Sequence, residues 1–116
     1  AGNCHRPVSD GRPDTAAALV SWIRAFSDDL HARTSKYPMI YTTFDWWNTC
    51  TGNSSAFAAT NPFWIASYGS TPPASIPAGT ATWTIWQSAS SGLLPGSQDR
   101  FNGSFVQLQA LATNPD

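Results

Sequence analysis

Apolar residues recur along the chain in four blocks. After a polar lead-in, Leu19, Trp22, Ile23, Phe26 and Leu30 follow one another at spacings of 3, 1, 3 and 4, the single stripe of an amphipathic helix of about 20 residues. Ser9 or Asp10 is placed to cap it, with Pro13 in its first turn. Arg24, Asp28, Asp29 and Arg33 fall off the stripe and read as its solvated face. Pro38 to Thr43 is a short β-type run, ended by the Asn/Thr/Gly-rich stretch after Trp46-Trp47. Phe63 to Tyr68 reads as a second strand between Asn61-Pro62 and Gly69. A loop rich in Pro, Ser and Gly follows, and Thr82 to Gln87 alternates as a third strand. Alternation there puts Trp83 and Trp86 on opposite faces, with one of them in the core. Ser104 caps a terminal helix marked by Phe105, Leu108 and Leu111.

This order of elements predicts a layered α/β structure with neighbouring strands adjacent in space. At 116 residues the chain has room for one domain, residues 1–116, and is too short for a complete eight-stranded α/β barrel, which needs about 200 or more. Three strands and two or three helices close poorly. Their outer strands leave backbone groups unpaired unless another chain, a second copy or a covering loop meets them.

Charged residues make up 11% of the chain, well below the roughly 25% of an average globular protein, which excludes charge-driven disorder and predicts a polar but neutral surface. The net charge is −1 with no basic run, so neither a nucleic acid nor an anionic membrane is expected as partner. No apolar stretch approaches the roughly 20 residues of a membrane span, and the N-terminus lacks a leader pattern, so a soluble chain with any leader already removed is expected. Cys4 and Cys50, a single lysine (Lys36), and sequons at Asn53-Ser54-Ser55 and Asn102-Gly103-Ser104 together read as a secreted protein with one disulfide. Closing a loop of that length stabilises a fold by about 4 kcal/mol in the chain-entropy model.

The seven acids are all aspartates, so a mechanism requiring glutamate must find it elsewhere. His5 and His31 lie far apart and no Cys/His pair has zinc spacing, so no metal or other cofactor is expected. There is no Gly-x-Ser-x-Gly elbow and no phosphate-cradling glycine loop. Aromatic residues stand out instead, with Tyr41, Trp64, Tyr68, Trp83 and Trp86 all on or beside the three strands. Rings set among neutral amides and hydroxyls, here Thr43, Asn48 and Gln87, suit a carbohydrate, whose C–H faces stack while its hydroxyls need uncharged partners. Filling a small core would use the same rings.

Four blocks decide further: Tyr41-Thr42-Thr43 with Trp46-Trp47-Asn48-Thr49-Cys50-Thr51-Gly52, Pro62-Phe63-Trp64-Ile65-Ala66, Thr82-Trp83-Thr84-Ile85-Trp86-Gln87, and Phe101-Asn102-Gly103-Ser104. In order and spacing they resemble the C-terminal half of the Chalaropsis-type lysozymes, glycoside hydrolase family 25, over residues 3 to 113. The resemblance implies part of an irregular β/α barrel, incomplete by itself. It implies a secreted, extracellular muramidase that cuts the N-acetylmuramic acid to N-acetylglucosamine bond of peptidoglycan. It also implies that Tyr41, Trp64, Tyr68, Trp86 and Gln87 line or border the sugar cleft, and the cysteines match the family's occasional disulfide.

Departures from the family pattern set a second expectation. The family's first-strand Asp and its Asp-x-Glu motif have no counterpart here, since the sequence begins just after the second. The acid usually found four residues before the Phe of Phe-Asn-Gly is Ser97, and the aromatic after Trp-Gln is Ser88. Asp99 is the one catalytic candidate the chain offers, and it replaces the missing acid only if the loop shifts. Asp45 reads as a helix-capping acid before Trp46-Trp47. Glycoside hydrolysis generally needs two carboxyl groups, or one assisted by the substrate's acetamido group. Two readings follow. The chain is the C-terminal portion of a muramidase whose N-terminal fragment carries the main acids, or it is a non-catalytic remnant of that fold that binds peptidoglycan or a related amino-sugar glycan or acts as another kind of interaction protein.

Overall fold

A computed structural model describes residues 4–6, 13–92 and 96–113. In chain order the elements are α1 (Ala16–Thr34), β1 (Ile40–Thr42), α2 (Phe44–Thr51), β2 (Phe63–Ala66), β3 (Ile85–Ala89), β4 (Gln98–Phe101) and α3 (Phe105–Thr113). Among the described residues the fold is mixed α/β, a four-stranded sheet in the order β1-β2-β3-β4 with three helices. β1, β2 and β3 run parallel, and β4 returns antiparallel to β3. The expectation of three strands therefore falls short by one. Gln98-Asp99-Arg100-Phe101 carries no apolar run and becomes a strand only by pairing with β3.

Helix α1 starts later than its pattern suggested. Thr15 caps it, with its hydroxyl accepting from the Ala18 N–H at 3.1 Å. Pro13 precedes the helix, and Ser9 and Asp10 lie outside the described residues. Asp14 pins the lead-in, accepting from the Arg6 backbone N–H at 2.7 Å and pairing with its guanidinium at 3.1 Å. The buried residues of α1 are Leu19 and Ser27, with Ile23 half-buried between them at four-residue spacing, while Trp22 and Phe26 stack on each other and Phe26 stays 51% exposed. The predicted stripe is thus rotated. Arg24, expected on the solvated face, lies over the Phe57 ring with its guanidinium 4.5 Å from the centroid. Asp29 and Arg33 do pair in solvent, at 3.0 Å.

Thr43, not Asp45, caps α2, with its hydroxyl accepting from the Trp46 N–H at 3.1 Å. Asp45 sits in the first turn, where a carboxylate complements the positive end of the helix. At the other end Gly52 takes a left-handed conformation, φ 68°, and its N–H closes the helix on the Trp47 carbonyl. Trp47 is fully buried and meets the Phe57 and Phe63 rings edge-on at 5.8 and 5.1 Å. These three with Ile65 form the core between the helices and one face of the sheet. A second cluster joins Leu19 to the Cys4–Cys50 disulfide, Cα–Cα 5.2 Å, so the expected bridge is present and ties the lead-in to α2.

β3 starts at Ile85, so Trp83 lies ahead of it and strand alternation does not govern that residue. The rings of Trp83 and Trp86 come within 6.0 Å, contrary to the expected separation, and both are drawn inward. Helix α3 opens with a reciprocal cap: Ser104 Oγ accepts from the Gln107 N–H at 3.1 Å, and Gln107 Oε1 accepts from the Ser104 N–H at 2.8 Å. It buries nothing. Phe105 and Val106 are 73% and 71% exposed. No described helix is long and apolar enough to cross a membrane.

Candidate functional site

Cross-strand partners in a sheet point to the same face. The register Tyr41↔Trp64↔Ile85↔Phe101 and the neighbouring row Ala66↔Gln87↔Asp99 therefore share one face. Thr42, Ile65, Trp86 and Arg100 belong to the other, where Ile65 joins the core. This division decides which expected site residues meet. Tyr41, Trp64 and Gln87 stand together with Asp99, whereas Trp86 is buried at 4% exposure on the opposite face. Its indole N–H is spent on the Ser67 carbonyl at 2.7 Å. Its register sets Trp86 on the face opposite Tyr41, Trp64 and Gln87, while with Asp99, Ser88 and Gln98 it borders a smaller neighbouring pocket.

The site-facing side chains form a continuous chain of contacts. Tyr41 Oη donates to Gln87 Oε1. The Tyr41 ring meets Trp64 edge-on, 5.4 Å between centroids at 87°. Trp64 Nε1 donates to Asp99 Oδ1 at 2.9 Å, and Ser97 Oγ donates to Asp99 Oδ2 at 2.5 Å. Both Asp99 oxygens are thus engaged, one by the Trp64 indole and the other by the Ser97 hydroxyl. Half of Tyr41 is open to solvent. Burial raises the phenol above its ordinary range, Tyr68 as neighbouring charge and hydrogen-bond partner and the Asp99 charge act in the same direction, and the bond to Gln87 opposes them.

Beyond the ends of β1 and β2 opens a cavity of about 520 Å³ lined by Tyr41, Thr43, Phe44, Asp45, Ile65 to Tyr68 and Pro73 to Ser75. Its position at the C-terminal ends of parallel strands is where α/β folds build binding sites, because the loops there leave the sheet together. Tyr68, 61% exposed, stands at this cavity beside Tyr41. Asp45 lines it too, a placement its reading as a cap did not anticipate. The signal was available, since Asp45 follows the end of a strand by three residues. The Pro73 to Ser75 wall had no such signal, being a loop brought back by tertiary structure. Thr43 is in the lining as well, whereas Asn48, exposed on α2, is not. Ser88 supports β4 instead, its hydroxyl donating to the Gln98 carbonyl at 3.2 Å. Among the described residues no group of three His, Cys, Asp or Glu is placed to hold a metal.

Aromatic rings, amides and hydroxyls around one or two carboxylates form a surface suited to a neutral, hydroxyl-rich ligand. Residues 8–97 match the model of the glycosyl hydrolases family 25. The chain is 48% identical over 99 residues to the N,O-diacetylmuramidase of Chalaropsis sp., covering 85% of this chain and 47% of that protein. It is 43% identical over 99 residues to Lysozyme M1 of Streptomyces globisporus, covering 81% and 33%. A family GH25 lysozyme from Aspergillus fumigatus superposes with a TM-score of 0.85 at 42% identity, over 93% of this chain and 52% of that one. The lysozyme from Streptomyces coelicolor does so with a TM-score of 0.82 at 37% identity, over 97% and 54%. The chain spans about half the length, or less, of the curated relatives it matches.

Proposed function

The chain belongs to the glycosyl hydrolases family 25, and from that premise we propose that it forms one wall of a secreted muramidase cleft that acts on peptidoglycan. The observation that carries this reading is the contact chain Gln87, Tyr41, Trp64, Asp99 on one sheet face, adjoining the cavity at the strand ends. Trp64 and Tyr41 offer ring faces for sugar stacking, and Gln87 and Tyr68 offer neutral polar contacts. Asp99 fixes the Trp64 indole and places negative charge beside the positively charged sugar that develops as a glycosidic bond breaks. Proton donation is assigned to carboxyl groups outside this chain, whose four strands are part of an incomplete barrel. Because the chain lacks glutamate and has Ser97 where the family has an acid, a second reading is retained, a glycan-binding remnant without hydrolysis.

Titration with a muramic acid-containing tetrasaccharide, followed by tryptophan fluorescence, tests the cleft. The expected result is saturable quenching, weakened at least about tenfold by Trp64→Ala through the loss of roughly 1.4 kcal/mol of stacking, with no reducing ends released. No titration, or equal affinity for the variant, overturns the proposal. Co-expression with the complementary half of a family relative separates the two readings. Restored release of reducing ends supports the muramidase, and an assembled but inactive complex supports the remnant.

A further inference from the structure

The two sequons are unrelated to the cleft, and the fold treats them differently. N-glycosylation uses the carboxamide nitrogen. Nδ2 attacks C1 of a lipid diphosphate-linked oligosaccharide, the N–C1 bond replaces the C1–O bond, the lipid diphosphate leaves with the electron pair, and one Nδ2 proton is lost. The product amide therefore keeps a single N–H, and a sugar occupies the direction of the other. What a sequon asparagine does with its nitrogen in the folded chain decides whether it tolerates the change.

Asn102 spends both N–H groups. Its Nδ2 donates to Thr82 Oγ1 at 2.8 Å and to the Trp83 carbonyl at 3.1 Å, while its backbone N–H donates to the Thr84 carbonyl at 2.9 Å. These three bonds hold the approach to β3 against the end of β4. The rest of the sequon is equally committed. Ser104 Oγ caps α3, and a Cβ at Gly103 would meet Gln107 Oε1 at 2.6 Å and the Phe101 ring at 2.7 Å. Asn53 uses the other end of its amide. Oδ1 accepts from the Ala78 N–H at 2.9 Å, and Nδ2 makes no hydrogen bond among the described residues. It sits at φ 54° in the turn that ends α2, with the sequon's Ser55 exposed. Because α2 starts at the cavity with Phe44 and Asp45 and ends at Thr51, an eight-residue helix carries this turn about 12 Å from the site.

We propose that Asn53 is an N-glycan acceptor of the folded protein and that Asn102 is not, although both carry the motif. Transfer meets the chain before it folds, so both sequons are offered. The fold then retains chains modified at Asn53 and selects against those modified at Asn102, which lose at least one of the amide's bonds to Thr82 and Trp83 at the end of β4.

The test is secretion of the full chain from a yeast host, then peptide-N-glycosidase digestion, which leaves aspartate at each former acceptor for detection by peptide mass. The expected result is conversion at position 53 and none at 102 in the secreted protein. Ser55→Ala leaves Asn53 and its bond to Ala78 intact and is expected to abolish the glycan, whereas Asn102→Gln is expected to leave the glycan mass unchanged. A secreted chain bare at Asn53, glycosylated at Asn102, or shifted to Asn102 in the Ser55→Ala variant overturns the assignment. None of these readouts depends on sugar binding in the cleft.

Discussion

Replacing Asn61 with alanine is expected to cost more than any surface substitution in this chain. Asn61 is 5% exposed and joins three elements. Its Nδ2 donates to Ser27 Oγ on α1 at 2.8 Å and to the Pro38 carbonyl ahead of β1 at 2.9 Å, and its Oδ1 accepts from Thr60 Oγ1 at 2.6 Å before β2. Truncation removes all three bonds; the two donated ones are worth about 1 kcal/mol each, and the Pro38 carbonyl left short of a donor costs about 1 kcal/mol more, the exchangeable Thr60 hydroxyl adding little. Ser27, 1% exposed, gains no solvent in return. The expected loss is about 3 kcal/mol, which lowers a urea midpoint by about 1 M or more for a domain of this size. Urea unfolding followed by tryptophan fluorescence measures it, with Ser27→Ala and the double variant closing a cycle whose coupling should reach about 1 kcal/mol. Asn61→Asp should be no better than alanine, because it turns an oxygen toward the Pro38 carbonyl. A loss under about 1 kcal/mol, strict additivity with Ser27→Ala, or a fully stable aspartate variant would refute the argument that this amide holds α1 to the sheet.

The double variant Cys4→Ala/Cys50→Ala opens the loop closed over 46 residues and should lose about 4 kcal/mol in urea unfolding; a loss below about 1 kcal/mol would show that the lead-in contributes no constraint. The Tyr41 phenol is raised above its usual 10.0 by burial and by Tyr68 and Asp99. Its neutral form therefore contributes stability that is whole below pH 10.0 and is lost as pH rises through the folded value. Ultraviolet titration of the three tyrosines should show one late phenol that Tyr41→Phe removes, and an unchanged curve would contradict the assignment. Phe105→Ser and Val106→Ser should each shift stability by less than about 0.5 kcal/mol, since both side chains are exposed; a loss above about 1 kcal/mol would mean that α3 is packed.

Local chemistry made the helices and the parallel strands legible. The apolar period of α1, the serine before Phe105, and the β-type runs at Ile40 and Phe63 act over a few residues, which is the range of a helical turn or a strand's alternation. The blocks around Trp46-Trp47, Trp64 and Trp86-Gln87 also carried the family, and the sheet register brings three of the residues expected at the cleft, Tyr41, Trp64 and Gln87, to one face. What could not be read depended on partners distant in the chain. Gln98 to Phe101 is a strand only because β3 offers an edge, and Trp86 takes the face opposite Tyr41, Trp64 and Gln87 because its register pairs it with Ile65. Asp45 lines a cavity that the Pro73 loop completes. Asn53 and Asn102 carry the same motif, yet one amide is anchored through oxygen and the other through nitrogen. Periodicity, caps and cysteine content belong to the chain itself, and they determined which segments fold and how they begin. Register across the sheet and the packing of loops against it are set by contacts between distant residues, and these alone decided which face each side chain serves.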